Sequence, residues 1–201
     1  MAPALPAARA GMRIGLLGGS FDPAHEGHRA ASLKALRRLD LDQVWWLVSP
    51  GNPLKGAPVA DLGNRVAQAK AVAAHPRIRV TALEAAIGTR FTVDTIDWLR
   101  RRRPDLRFVW LMGADNLSSF HRWKHWRRIM ATVPVAVLDR PGRGQSPLAS
   151  PLARSFARAR RADRAAPKLP ASPPPAWVFL AGPRVDQSST ALRAAPRKAS
   201  S

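Results

Sequence analysis

The sequence predicts an α/β fold, a doubly wound parallel sheet within a single domain. Three observations carry this expectation. Six short apolar runs alternate with stretches of helical spacing, the order that builds parallel strands joined by crossover helices. The first run closes on Gly18-Gly19, which leads into a turn and then a helix pattern. The chain has 201 residues, 46% of them hydrophobic, enough for one ordinary core, and no apolar stretch approaches the ~20 residues of a membrane span.

The elements follow in order. Arg13–Gly18 ("RIGLLG") is a buried strand before glycines, and His28–Leu39 is a helix with Ala31, Leu33, Leu36 and Leu39 as its apolar positions. Gln43–Val48 ("QVWWLV") is the second strand, Val59–Ala74 a helix stopped by Pro76, and Ile78–Leu83 the third strand. Thr92–Arg102 is a helix with Thr89 or Thr92 near its cap and Pro104 beyond its end. Leu106–Met112 is the fourth strand, followed by a helical patch holding Trp123 and Trp126. Val133–Leu138 and Ala176–Gly182 are the fifth and sixth strands, and Ser188 opens a last helix. The domain is expected over residues 13–193, between an N-terminal arm (1–12) that reads as a frayed extension, with Met12 a candidate start, and a tail (194–201).

Composition excludes several chemistries. With no cysteine there is no disulfide framework, thiolate metal site or cysteine nucleophile. The arm lacks the charged start and long apolar core of a secretory signal, so a cytoplasmic protein without membrane attachment is expected. The net charge of +20 raises a nucleic-acid reading. Much of the excess sits in Arg100–Arg103 and in the Pro/Ala-rich segment near 143–175, which reads as a solvated helix and linker. No nucleic-acid motif accompanies the charge, so no specific nucleic-acid partner is expected; the field still attracts polyanions, nucleotides included.

In doubly wound sheets, ligands bind beyond the carboxyl ends of the strands. The stretch "GLLGGSFDPAHEGH" (Gly15–His28) lies at such an end. It lacks the G-x-G-x-x-G dinucleotide spacing and the P-loop lysine. His25 and His28 are three residues apart, whereas a zinc-protease helix needs four. What remains is an anion site: Gly18 and Gly19 allow close backbone approach, a helix N-terminus supplies N–H groups and dipole, and two imidazoles add donors.

"GGSFDPAHEGH" resembles the G-[ST]-F-D-P-x-H-x-G-H signature of the nucleotidyltransferase superfamily. "PGNPLK", "FTVDT", "GADN", "FHRWKHW", "DRPG" and "SSTALR" are similar to the bacterial nicotinate-nucleotide adenylyltransferases, from about Met12 to Arg193 and only loosely near 143–175. Gln187, where an apolar residue is usual, and the short tail after Arg193 depart from that pattern. The resemblance implies a Rossmann-like fold and the transfer of an adenylyl group from ATP to nicotinate mononucleotide. Magnesium would ride on the ATP phosphates, the protein supplying no metal ligands. It implies catalytic roles for His25 and His28 and ATP binding by Gly18, Gly19, Ser20, Phe21, Ser188, Ser189, Thr190 and Arg193. Lys55, Thr92, Asp115 and Trp123 would serve the mononucleotide. For Trp123 a core position is the alternative, for Thr92 a plain helix cap, for Lys55 a surface lysine, and for the three hydroxyls ordinary capping. His121 and His125, four apart without a nearby acid, read as polar surface; Glu26 reads as solvent-facing. A monomer or homodimer is expected, and a related enzyme with a different acceptor, such as the phosphopantetheine adenylyltransferase, is the nearest rival.

Overall fold

Among the described residues, every strand pairing is parallel, and seven strands form one sheet in the order β3-β2-β1-β4-β5-β7-β6. The computed structural model describes residues 3–51, 60–139 and 149–181. The strands are β1 (Arg13–Gly19), β2 (Gln43–Val48), β3 (Ile78–Thr81), β4 (Arg107–Gly113), β5 (Val135–Leu138), β6 (Arg160–Arg161) and β7 (Trp177–Leu180). The helices are α1 (Glu26–Arg38), α2 (Leu62–Ala73), α3 (Leu83–Ala86), α4 (Thr92–Arg102), α5 (Trp126–Thr132) and α6 (Pro151–Ser155). From β1 the chain steps outward through β2 to β3, then crosses back so that β4 lies on the other side of β1. That reversal opens a crevice at the carboxyl ends of β1 and β4.

Side chains alternate across the sheet and both faces are covered, so the strands read as continuous apolar runs. One face buries Ile14, Leu16, Trp45, Phe108, Trp110 and Met112 with Ile96 and Leu99 of α4 and Ile129 of α5. The other buries Leu17, Val44, Trp46, Val109 and Leu111 with Ala35 and Leu36 of α1 and Ala69 of α2.

Four expectations change. The third strand ends at Thr81, and Leu83 enters the core from the short α3 instead. The fifth begins at Val135, because Pro134 has no N–H to donate; its carbonyl accepts from Trp110 N at 2.9 Å. The segment near 143–175 is not a solvated linker where it is described. It folds as α6, the extra strand β6 and a 3-10 run over Asp163–Ala171, burying Leu152, Ala166 and Leu169 completely. Its Arg154, Arg158, Arg160, Arg161, Arg164 and Lys168 point outward, so basic residues cover an apolar inner side. The arm is docked rather than frayed from residue 3 on. Gln43 Nε2 donates to the Ala7 carbonyl (3.0 Å), Arg103 Nη2 to that of Ala8 (3.0 Å), and Leu5 and Ala8 pack against the core. The expected last helix lies outside the described residues.

Candidate functional site

The turn between β1 and α1 is built from local chemistry. His25 is the N-cap of α1, with extended backbone (φ −151°), and its Nδ1 accepts from Gly27 N at 3.1 Å. His28, at N3, returns the bond: its Nδ1 accepts from His25 N at 3.3 Å. This is a capping box made by two imidazoles in place of the usual hydroxyl and carboxylate. With both Nδ1 atoms accepting, each neutral ring carries its proton on Nε2. The rings lie 3.9 Å apart and are both buried.

Phe21 precedes them in the left-handed region, φ +48°, an uncommon place for a bulky residue. Its ring stacks on Trp46 (4.9 Å) and touches His28 (4.7 Å), and the Asp22-Pro23 bond beside it is cis. Trp46 Nε1 donates to Ser32 Oγ (2.7 Å), which donates to the His28 carbonyl (2.8 Å). The second strand therefore fixes the histidine helix through a tryptophan and a serine.

The two glycines have different jobs. A Cβ on Gly18 would stand 2.6 Å from Trp110 Cη2, so the space over Gly18 belongs to an indole. A Cβ on Gly19 would meet only Phe21 at 3.4 Å, ordinary contact. The glycine at 18 is required by packing against Trp110, whereas Gly19 leaves its Cβ direction open. Trp110 in turn meets Trp123 edge-on at 6.2 Å, so the aromatic expected at the acceptor adjoins the β1–α1 turn through one side chain.

On that second side, Trp123 is half-buried, its ring against Phe120 (5.2 Å) and Trp110. Thr92 is the first residue of α4, and Phe91, not Thr92, is the N-cap. Thr89 does the local capping: its Oγ1 accepts from Phe91 N (3.1 Å) and donates to Asp94 (3.1 Å). Lys124 Nζ reaches Asp94 at 3.4 Å and sits over the Phe91 ring at 4.3 Å, joining the Trp123 segment to the start of α4. Asp115 follows β4 in a 3-10 turn and is exposed, as are His121, His125 and Glu26. Lys55, Gln187, Ser188, Ser189, Thr190 and Arg193 lie outside the described residues.

Two buried polar residues escaped sequence reading. Arg65 of α2 is 1% exposed. Its Nη1 donates to the carbonyls of Ser20 and Ser49 (both 2.7 Å), its Nε to Ala60 O (2.8 Å) and its Nη2 to Pro50 O (3.4 Å). Glu84 of α3 is 4% exposed, and burial pushes its carboxyl up to about 7, against the neighbouring Ser49 and Thr95 hydroxyls that pull it down. The signal for Arg65 was its spacing. It stands four and eight residues before Ala69 and Ala73, the other buried residues of α2, on the face that should be apolar. Among the described residues no group of three or more His, Asp or Glu side chains could hold a metal, and no helix is long and apolar enough to cross a membrane.

Comparison with known proteins bears on this geometry. The cytidylyltransferase-like family profile matches residues 16–195. A Cereibacter sphaeroides protein named as a probable nicotinate-nucleotide adenylyltransferase is 59% identical over 92% of this chain and 99% of its own length. One from a Bradyrhizobium species, named likewise, is 58% identical over 90% and 95%. Among solved structures, the Plasmodium falciparum nicotinic acid mononucleotide adenylyltransferase complexed with NaAD superposes with a TM-score of 0.70 at 15% identity, covering 91% of this chain and 83% of that one. That likeness speaks to the fold, in which the β1–α1 turn, Trp123 and the start of α4 all stand at the carboxyl edge of one parallel sheet.

Proposed function

The chain belongs to the cytidylyltransferase-like family and, within it, to the nicotinate-nucleotide adenylyltransferases, and from that membership we propose how its loops divide the reaction. It transfers the adenylyl group of ATP to nicotinate mononucleotide, giving deamido-NAD and pyrophosphate. The nucleophile is the acceptor's 5′-phosphate, whose second pKa is about 6, so it is mostly dianionic at neutral pH and needs no general base. One P–O bond forms at the α-phosphorus, the α–β bridge breaks, and its electron pair leaves with pyrophosphate. The barrier is electrostatic: two anions must meet, and charge moves onto the leaving group.

The β1–α1 turn answers that barrier. Amides near Gly19–Phe21 and the N-terminus of α1 face the α- and β-phosphates. His28 Nε2–H donates to the α-phosphate as charge builds there, and His25 supports the adjoining oxygens. Ser188, Ser189, Thr190 and Arg193 take the outer phosphates, with the arginine forked onto two oxygens. Lys55 meets the acceptor phosphate, Asp115 its ribose or the loop that carries it, and Trp123 and the amide side of Thr92 its pyridine. Gly18 shapes the turn from behind. Magnesium enters as part of the Mg-ATP substrate, and the reaction is read as cytoplasmic.

The observation that best supports this reading is the imidazole capping box: it holds both Nδ1 atoms inward at the start of a helix and makes each Nε2 the donor. The test is pyrophosphate release. Release from Mg-ATP is expected only when a pyridine mononucleotide is added. A donor-lined pocket matches a carboxylate but opposes N–H to the NH₂ of an amide, so the acid is expected to win in kcat/KM by at least ~10-fold. Preference for nicotinamide mononucleotide in side-by-side kinetics would refute this acceptor assignment.

A further inference from the structure

The buried Arg65 and Glu84 converge on one residue. Ser49, the first residue after β2, gives its carbonyl to Arg65 Nη1 at 2.7 Å, while its hydroxyl stands beside the Glu84 carboxyl and favours the ionised form. From there the polar chain runs both ways. Arg65 continues to the Ser20 carbonyl, in the turn that carries His25 and His28. Glu84 continues to Thr95 Oγ1 (3.3 Å), which also donates to the Phe91 carbonyl (3.2 Å) beside Thr92. Ser49 Oγ itself closes its own loop by donating to Gly51 O at 2.8 Å. Arg65, Glu84 and Thr95 are all buried, and four separate chain segments meet through them: Ser20, Ser49–Gly51, Glu84 and Phe91–Thr95.

Hydrophobic packing alone does not call for this arrangement. Burying a guanidinium is costly, and among the described residues no carboxylate lies within 4 Å of it; backbone carbonyls of three loops satisfy it instead. Such a group sets where those carbonyls point. In a trans peptide the C=O and the next N–H face opposite ways. Drawing the Ser20 carbonyl to Arg65 therefore turns Phe21 N–H away from the guanidinium, and Phe21 is the residue at φ +48°. The strained residue and the buried cation that grips the peptide before it belong to one device.

We propose that Arg65 and Glu84, joined at Ser49, are positioning residues for the transfer reaction: together they hold the phosphate turn and the acceptor-side start of α4 in one frame, so that the two substrates meet in line. This rests on the proposed assignment of the β1–α1 turn to ATP and the Thr92–Trp123 side to the acceptor. Lysine keeps the charge at 65 but cannot reach three carbonyls at once. Glutamine keeps the shape at 84 and replaces the carboxyl with an amide.

The test is a double-mutant cycle on the full chain, with pyrophosphate release read over both substrates and thermal unfolding run in parallel. Arg65→Lys and Glu84→Gln are each expected to lower kcat about 10-fold, with both KM values within about 3-fold, since misplacement by an ångström or less is felt mainly in the reacting geometry. The double variant is expected to lose about as much as either single one rather than the product of the two, the mark of a shared device. Ser49→Ala, at the junction, leaves every backbone carbonyl in place and is expected to lower kcat about 3-fold without unfolding the protein. If the other two fail to fold, it decides. Wild-type kcat in well-folded variants, or losses that multiply independently, would overturn the proposal. His28→Ala run alongside separates the readings: if it alone abolishes turnover, the site assignment stands and the frame falls; if it keeps wild-type kcat, the site assignment falls first.

Discussion

The two sides of the site are made differently. The side proposed for the phosphates is written into the backbone: a left-handed Phe21, a helix N-terminus, and two histidines whose Nδ1 atoms are spent on capping. Both imidazoles are buried, and the Phe21 and Trp46 rings pack against His28. The side proposed for the acceptor is made of side chains on the surface of 3-10 turns. Trp123 is half-buried, and the Lys124–Asp94 pair that ties its segment to α4 is about two-fifths exposed on both partners, where an ion pair contributes little. The contrast follows from what each side must do. Transition-state charge is stabilised by donors that cannot relax, whereas a planar ring is held by an aromatic face that tolerates small shifts.

The largest expected effect tests the rigid side. His28→Ala should lower kcat by ~10²–10³-fold, the cost of losing a transition-state donor, with the mononucleotide KM nearly unchanged. His28→Asn sharpens this, because it can accept the His25 N–H yet has no donor at the Nε2 position: it should regain stability without regaining rate. Equal recovery of both would show that the histidine matters only as a cap.

Next in size is a stability effect at the junction of the two sides. Burial raises the folded-state pKa of Glu84 to about 7 from its ordinary value, so between those two values the folded protein binds more protons than the unfolded chain. This raised acid contributes nothing adverse below the unfolded pKa and destabilises as pH rises through about 7. Unfolding free energy should therefore fall by on the order of 2 kcal/mol between pH 5 and pH 8 from this group. Glu84→Gln should flatten that slope; an unchanged slope in urea melts would show that the carboxyl does not titrate there.

The glycines give a smaller and more pointed comparison. Gly18→Ala drives a methyl against Trp110 and should cost ~1–3 kcal/mol of stability, the range for overpacking. Gly19→Ala finds room and should leave stability within ~0.5 kcal/mol, as substitutions that break no packing do, while weakening ATP. Matched melting losses in the two variants would mean that the division between packing and ligand approach is wrong. Smallest is Trp123→Ala, which should raise the mononucleotide KM ~10-fold through lost stacking while sparing that of ATP.

The same contrast explains what could be read from sequence. The strands and the β1–α1 turn were legible because they obey local rules: periodicity, glycine before a helix, residues with a fixed spacing such as His25 and His28. β2 and α4 fall where periodicity put them. Expectation failed where tertiary contact outvoted local pattern. The packing constraint on Gly18 is set by Trp110, far along the chain. β6 is two exposed arginines whose pairing with Trp177 and Val178 no periodicity announces. The basic segment hid its core side because Leu152, Ala166 and Leu169 are spread thinly among arginines and prolines. Arg65 and Glu84 are charged residues in apolar registers, and only the carbonyls and hydroxyls of distant loops explain them.

A backbone-built side for the phosphates and an aromatic side for the acceptor are proposed to meet at the end of β1. A crystal structure with deamido-NAD bound tests it most directly. It should show the adenylyl phosphate within hydrogen-bond distance of His28 Nε2 and the pyridine ring stacked on the open face of Trp123. A product lying with its pyridine away from Trp123, or with no phosphate oxygen at the His25–His28 pair, would contradict it.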